Sequence, residues 1–186
     1  VNQIVSQASS GVRRAIVTET PTEPVQEAEL NQTLPPVDLK DPINRRERLL
    51  LEVVAQLPNF CAKDSLQRIF RIYFSAPRHA VIAKSVISHF DSPDFVDAVG
   101  RELGSDLAAT WREIMLSQLP VLDSSKFAEY AQGVVDGALA QTVEFEKQFL
   151  LKALVSAQAG NRVAESKQIQ AKLSELTAEL VSLRAK

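Results

Sequence analysis

An all-α fold, a small helical bundle followed by a C-terminal helical hairpin, is what this sequence predicts. Three observations carry it. Apolar residues recur at steps of three and four from Ile43 to Leu183, the spacing that gathers one face of an α-helix. Cap-then-proline signals stand ahead of several of these runs, at Asp41-Pro42, Ser75-Ala76-Pro77 and Ser92-Pro93-Asp94. No convincing alternation of apolar and polar residues, the mark of a half-buried strand, appears.

Order begins at Asp41-Pro42. An Asp side chain can accept from the orphan N–H groups of a first turn, and Pro at the first helical position gives up no hydrogen bond. Ile43, Leu50, Val54 and Leu57 then share a face, with Arg45, Arg46 and Glu52 away from it, until Pro58 closes the helix. A second helix runs through Leu66, Ile69, Phe70 and Tyr73. The third carries Ile82, Val86 and Phe90, and the fourth Phe95, Val96, Val99 and Leu103. Gly104-Ser105-Asp106 ends the fourth and caps a fifth, which holds Leu107, Trp111, Ile114 and Met115 and stops at Pro120. Asp123-Ser124-Ser125 caps a very long helix whose weak points are Gly133 and Gly137, each costing roughly 1 kcal/mol relative to Ala. Four residues apart, these glycines share a face and permit a close helix approach. Gly160-Asn161 supplies a left-handed stop and an N-cap for the last helix.

Ahead of residue 42 the composition differs. Every Phe, Tyr and Trp lies at or after Phe60, whereas Pro21, Pro24, Pro35, Pro36 and Pro42 crowd the front. Such a polar, proline-broken segment cannot offset the ~1–2 kcal/mol per residue that ordering its backbone costs. Three segments are therefore expected: a Pro-rich linker over 1–41 that ends an upstream domain, with a short helix near Gln3–Val17; a bundle over 42–122; and the hairpin over 123–186. A start at Val1 instead of Met points to a piece of a longer chain.

Composition narrows the function classes. With 186 residues, 45% of them apolar, and a formal net charge of −2, the chain has the profile of a globular protein rather than of a nucleic-acid module working by bulk charge. A single cysteine, Cys61, allows neither an internal disulfide nor a thiolate metal cluster and fits a reducing cytosol. No apolar run approaches the ~18 residues of a membrane span. His79 and His89 stand ten residues apart, without the spacing a helical metal site needs, and read as surface or partly buried helix residues. There is no glycine-rich phosphate loop, HExxH or Gly-x-Ser-x-Gly motif. Asp94 with Asp97, and Glu144 with Glu146, are no acid–base pair, and Trp111 reads as a core anchor. No catalytic, cofactor or metal site is expected in this fragment.

What remains is a docking surface. Ile169, Leu173, Leu176, Leu180 and Leu183 form a narrow stripe at alternating steps of four and three, a seam meant for another helix. The long helix is apolar on more than one side around Phe145, Phe149, Leu150, Leu151 and Leu154. The stripe reads as a zipper onto the long helix. The partner surface then takes in the long helix's other face and the turn near Gly160. The candidate partner-binding residues are Phe149, Leu150, Leu154, Leu173, Leu176, Leu180 and Leu183.

The order of parts resembles a known family. The segment Pro42-Ile43-Asn44-Arg45-Arg46-Glu47-Arg48-Leu49-Leu50-Leu51-Glu52-Val53-Val54-Ala55-Gln56-Leu57-Pro58 resembles the arginine/glutamate-led, leucine-rich helix that opens the C-terminal domain of bacterial DNA primase. Pro77-Arg78-His79-Ala80 looks like the family's next landmark. Lys126-Phe127-Ala128-Glu129-Tyr130-Ala131-Gln132-Gly133-Val134-Val135 resembles the start of its long helix, especially in actinobacterial members, and the closing Ala-Gly-Asn turn its hairpin. The resemblance covers residues 42 to 186. It implies a helicase-interaction domain that docks the primer-synthesising enzyme onto the N-terminal domains of the hexameric replicative helicase at a bacterial, cytoplasmic replication fork. Catalysis would belong to upstream domains. No direct nucleic-acid or membrane binding is expected, and the isolated chain should be a monomer or weak dimer. Two alternatives are the N-terminal domain of the replicative helicase itself, and a helical adaptor that homodimerises through its last helix.

Overall fold

The computed structural model describes residues 34–185. Among them, seven α-helices and two short 3-10 turns make an all-α structure: α1 Pro42–Gln56, α2 Lys63–Ile72, α3 Pro77–His89, α4 Phe95–Glu102, α5 Ser105–Met115, α6 Phe127–Ala159 and α7 Val163–Arg184. The short helix expected near Gln3–Val17 lies outside the described residues.

α1 starts where its sequence says it should. The Asp41 carboxylate accepts from the Ile43 N–H at 2.8 Å, with Pro42 in the first turn. Its buried face holds Leu50, Leu51, Val53 and Val54, packed with Leu66 and Ile69 of α2, Ile82 and Val86 of α3, Phe95 and Val99 of α4, and Trp111 and Ile114 of α5. Ile43, expected on that face, is exposed, because the first turn of α1 runs past the edge of the core.

Polar side chains tie the short helices together. The Gln56 Nε2 donates to the carbonyls of Ile114 (3.3 Å) and Ser117 (3.0 Å), satisfying acceptors at the C-terminus of α5. Trp111 is buried as expected and its indole N–H donates to the Val96 carbonyl at 3.0 Å. Asp94 stands at the N-cap of α4, but its side chain makes no cap bond. Its carboxylate instead accepts from Ser92 Oγ and the Arg101 guanidinium, both at 2.7 Å, and these two partners pull it down to about 2. Gly104 stands at the N-cap of α5, and Asp123-Ser124-Ser125 leads into a 3-10 turn before α6 begins at Phe127.

α6, with 33 residues, is shared between bundle and hairpin. Its first half sends Ala131, Val135 and Ala138 into the same core as α1–α5. Its second half pairs with α7, where Val143, Leu176 and Leu180 form a smaller cluster flanked by Ala140, Leu150 and Leu183. Thr33–Lys186 is one compact unit, and the boundary expected at 122/123 falls in the loop that leads α6 back onto the bundle. Gly133 and Gly137 face open space; a Cβ at either would meet nothing within 4 Å. The close approach expected there is not made, since the packed face of α6 is turned the other way.

The α6–α7 turn is a Schellman closure. Arg162 N–H donates to the Ala157 carbonyl at 2.9 Å and Asn161 N–H to Gln158 at 3.0 Å, satisfying carbonyls that a helix end leaves unpaired. The left-handed residue is Asn161 (φ 52), one of the few non-glycine residues that adopts that conformation readily; Gly160 has φ −87. Arg162, not Asn161, stands at the N-cap of α7.

The end of the segment expected as linker is held against the bundle. Arg78 Nε donates to the carbonyls of Leu34 (2.9 Å) and Pro35 (3.0 Å), while its guanidinium pairs with Asp106. Asn44 Nδ2 donates to the Asp38 carbonyl at 2.9 Å.

Candidate partner interface

Of the seven residues expected to meet a partner, Phe149 is the one on open surface, at 64% exposure. Leu176 and Leu180 are 2% and 4% exposed, closed off by Val143 within the hairpin. Leu150 and Leu183 flank that cluster and are half-buried, as are Leu154 and Leu173. The stripe is thus an internal zipper, and α6's apolar excess is what faces outward. Leu151 and Val155, four residues apart, are 50% and 66% exposed, and Val163, just past the turn, is 65% exposed. Their four-residue spacing was a signal in the sequence, but it was overshadowed by the longer stripe on the last helix.

Along the opposite side of α6 the residues facing the bundle follow steps of four and three: Ala131, Val135, Ala138, Thr142, Phe145, Phe149. The first four are buried, Phe145 is half-buried and Phe149 exposed. This seam continues beyond the edge of the bundle. Where it overhangs, Phe145 and Phe149 face Ile43, Ile72, Tyr73 and Phe74 across a groove of about 250 Å³, with Ser75, Gln148 and Lys152 completing the walls.

A second depression, about 400 Å³, lies where α2 meets the hairpin and is lined by Asp64, Gln67, Arg68, Arg71, Glu146, Lys172 and Glu179. At its centre the Arg68 guanidinium takes two carboxylates at once. Nε and Nη2 donate to Glu146 at 3.1 and 2.6 Å, and Nη1 and Nη2 to Glu179 at 2.5 and 3.1 Å. Both pairs are bidentate, the geometry in which arginine binds carboxylate best. One side chain of α2 therefore clasps α6 and α7 together. Sequence reading missed Arg68, because its partners lie 78 and 111 residues away.

The other missed constellation is buried. Glu47, fully enclosed, sits among apolar neighbours on the inner face of α1. Its carboxylate accepts from the Ser75 N–H, Ser75 Oγ (2.7 Å), the Ala76 N–H (3.3 Å) and His79 Nδ1 (2.9 Å). These donors lie at the start of α3, where the helix dipole favours negative charge. Burial pushes the Glu47 carboxyl up, but the hydrogen bonds from His79, Ser75 and Ala76 outweigh it and hold the group below its ordinary value. His79 is buried, not on the surface. Burial, followed by the Glu47 charge, raises the Tyr73 hydroxyl.

None of these groups forms a catalytic set. Glu102 Oε2 accepts from Ser85 Oγ and lies 3.2 Å from His89 Nε2, so the carboxylate, not the imidazole, touches the hydroxyl, the reverse of what nucleophile activation needs. Cys61 is buried, with Sγ 3.5 Å from the Leu57 carbonyl, and burial raises its thiol to about 11, away from the thiolate that reactivity requires. No group of three or more His, Cys, Asp or Glu side chains able to hold a metal ion occurs among the described residues. No described helix is long and apolar enough to cross a membrane. No family model, curated protein or solved structure matches the chain.

Proposed function

We propose that this chain is the helicase-interaction domain of a bacterial DNA primase, docking the primer-synthesising enzyme onto the hexameric replicative helicase. The observation that carries the reading is the exposure of Leu151 and Val155, on the side of α6 turned away from Phe149, and of Val163 just past the turn. Large aliphatics placed together on an outer face favour contact with another protein, since each gains about 1.5–3 kcal/mol if covered. The bundle-then-hairpin order and the motifs at Pro42–Pro58 and Lys126–Val135 support the family. Because Leu176 and Leu180 are enclosed within the chain, the last helix has little stripe left with which to homodimerise, which counts against the adaptor alternative.

The test is direct binding. The full chain and the replicative helicase of the same bacterium are mixed and titrated by calorimetry. Wild type should bind, and Leu151→Glu/Val155→Glu should lose at least tenfold in affinity while keeping its thermal transition. No binding by the wild-type chain would overturn the reading.

A further inference from the structure

α7 is fastened to the rest of the chain by contacts of two kinds. It packs along α6, where the enclosed Leu176 and Leu180 meet Val143 in a cluster separate from the core of the bundle. Among the described residues, the hydrogen bonds that run from α7 to the bundle helices α1–α5 are those of Glu179 with Arg68. The other side-chain bond from α7 to a neighbouring helix, Arg184 to Glu144, ends on α6 at the surface.

Arg68 gathers two acids at one point. Its Nη2 donates to Glu146 at 2.6 Å and to Glu179 at 3.1 Å, so a carboxylate of α6 and a carboxylate of α7 lie side by side. Two like charges this close repel unless a cation stands between them. The other charged groups facing the three are Asp64 and Arg71 on α2 and Lys172 on α7. Lys172 pairs with Glu175, and among the described residues neither Arg71 nor Lys172 bonds to Glu146 or Glu179. The side chains of Arg68, Glu146 and Glu179 are 30%, 28% and 34% exposed, covered enough to interact strongly and open enough for salt to reach them.

We propose that α7 is a charge-operated strap, latched by Arg68 and sprung by the Glu146–Glu179 pair. With the guanidinium in place, the strap lies closed over Val143. With it withdrawn, the same two carboxylates push α7 away from α6. The strap pivots at the Gly160-Asn161-Arg162 turn and uncovers Val143 together with its own Leu176 and Leu180. It opens as a unit while α1–α5 stay folded, the kind of opening available to an element with few ties to the main core. Such a strap goes beyond the helicase reading: it sets how much apolar surface the hairpin offers, whatever protein binds there.

The test follows amide hydrogen exchange in the full chain at about 0.01 M and about 1 M salt, where charges are felt over about 30 Å and about 3 Å. Wild type is compared with Arg68→Met and with Arg68→Met/Glu146→Gln/Glu179→Gln. The triple variant has neither latch nor spring and keeps the Arg184–Glu144 pair as a common background. At low salt, amides of Leu173–Leu180 in Arg68→Met should exchange roughly tenfold faster than in wild type and roughly threefold faster than in the triple variant. Measured against the triple variant, rising salt should open wild type and close Arg68→Met. Amides of Leu50–Val54 in α1 should keep wild-type protection throughout, which shows the bundle still folded. Equal exchange in Arg68→Met and the triple variant would overturn the proposal. So would a salt response of one direction in wild type and Arg68→Met, or loss of α1 protection together with that of α7.

Discussion

Replacing Glu47 by Ala should be among the most damaging single changes available to this domain. The carboxylate satisfies four donors: the Ser75 N–H, the Ser75 hydroxyl, the Ala76 N–H and the His79 ring. Ser75 is an exposed residue and can turn to water. The Ala76 N–H and the His79 ring are enclosed. Two buried donors without acceptors cost about 1–3 kcal/mol each, together about 2–6 kcal/mol. For a domain of roughly 150 residues that is about 4–24 °C in Tm. Urea and thermal unfolding followed by circular dichroism measure it. Glu47→Gln, which keeps an acceptor oxygen, should cost distinctly less. The pH dependence has a definite sign. The folded carboxyl lies below its ordinary value of 4.5, so its contribution is complete above that value and is lost as pH falls through the lower, folded one. The stability gap between wild type and Glu47→Gln should therefore narrow as pH falls below 4.5. A cost below ~1 kcal/mol for Glu47→Ala at neutral pH, or a gap that widens in acid, would refute the argument.

Other expectations follow from the helices around that pair. Gly133→Ala and Gly137→Ala should each raise stability by about 0.5–1 kcal/mol, because the added methyl meets nothing within 4 Å; a loss in chemical denaturation would mean that this face is packed. Arg68→Ala should free α7 before it affects the bundle, since it releases Glu146 and Glu179 together. Amide exchange along Val163–Arg184 should speed up while α1 and α3 stay protected, and equal acceleration throughout would count against a clasp.

How much was legible in the sequence follows the range of each interaction. The Asp41-Pro42 start is a contact between residues two apart, and it appears as read. The Gly160-Asn161 turn was also legible, although the left-handed position fell to Asn161, because the closure sets Gly160 one residue earlier, at the C-cap. The Ser92-Pro93-Asp94 and Asp123-Ser124-Ser125 signals lie just ahead of helices but make no side-chain cap: α4 begins at Phe95, with the Asp94 carboxylate taken by Ser92 and Arg101, and a 3-10 turn precedes α6. Glu47 carried a visible signal, a carboxylate on the stripe of Ile43, Leu50 and Val54. Its partner His79, 32 residues on, could be identified only once α1 and α3 were packed. The candidate interface was legible as an excess of apolar residues on α6, but not as an assignment of faces. Leu176 and Phe149 look alike in a periodic pattern, one enclosed and the other exposed.

By itself, then, the sequence determined what depends on neighbours along the chain: seven helices, most of their limits, a hairpin turn and a long helix with more apolar surface than one partner can cover. Tertiary structure alone decided which of those apolar stripes is consumed internally. It also brought Arg68 to two carboxylates from different helices and left the α6 seam running past the bundle edge. The physical reason is that helix periodicity places residues on a face, whereas only packing determines what lies against that face.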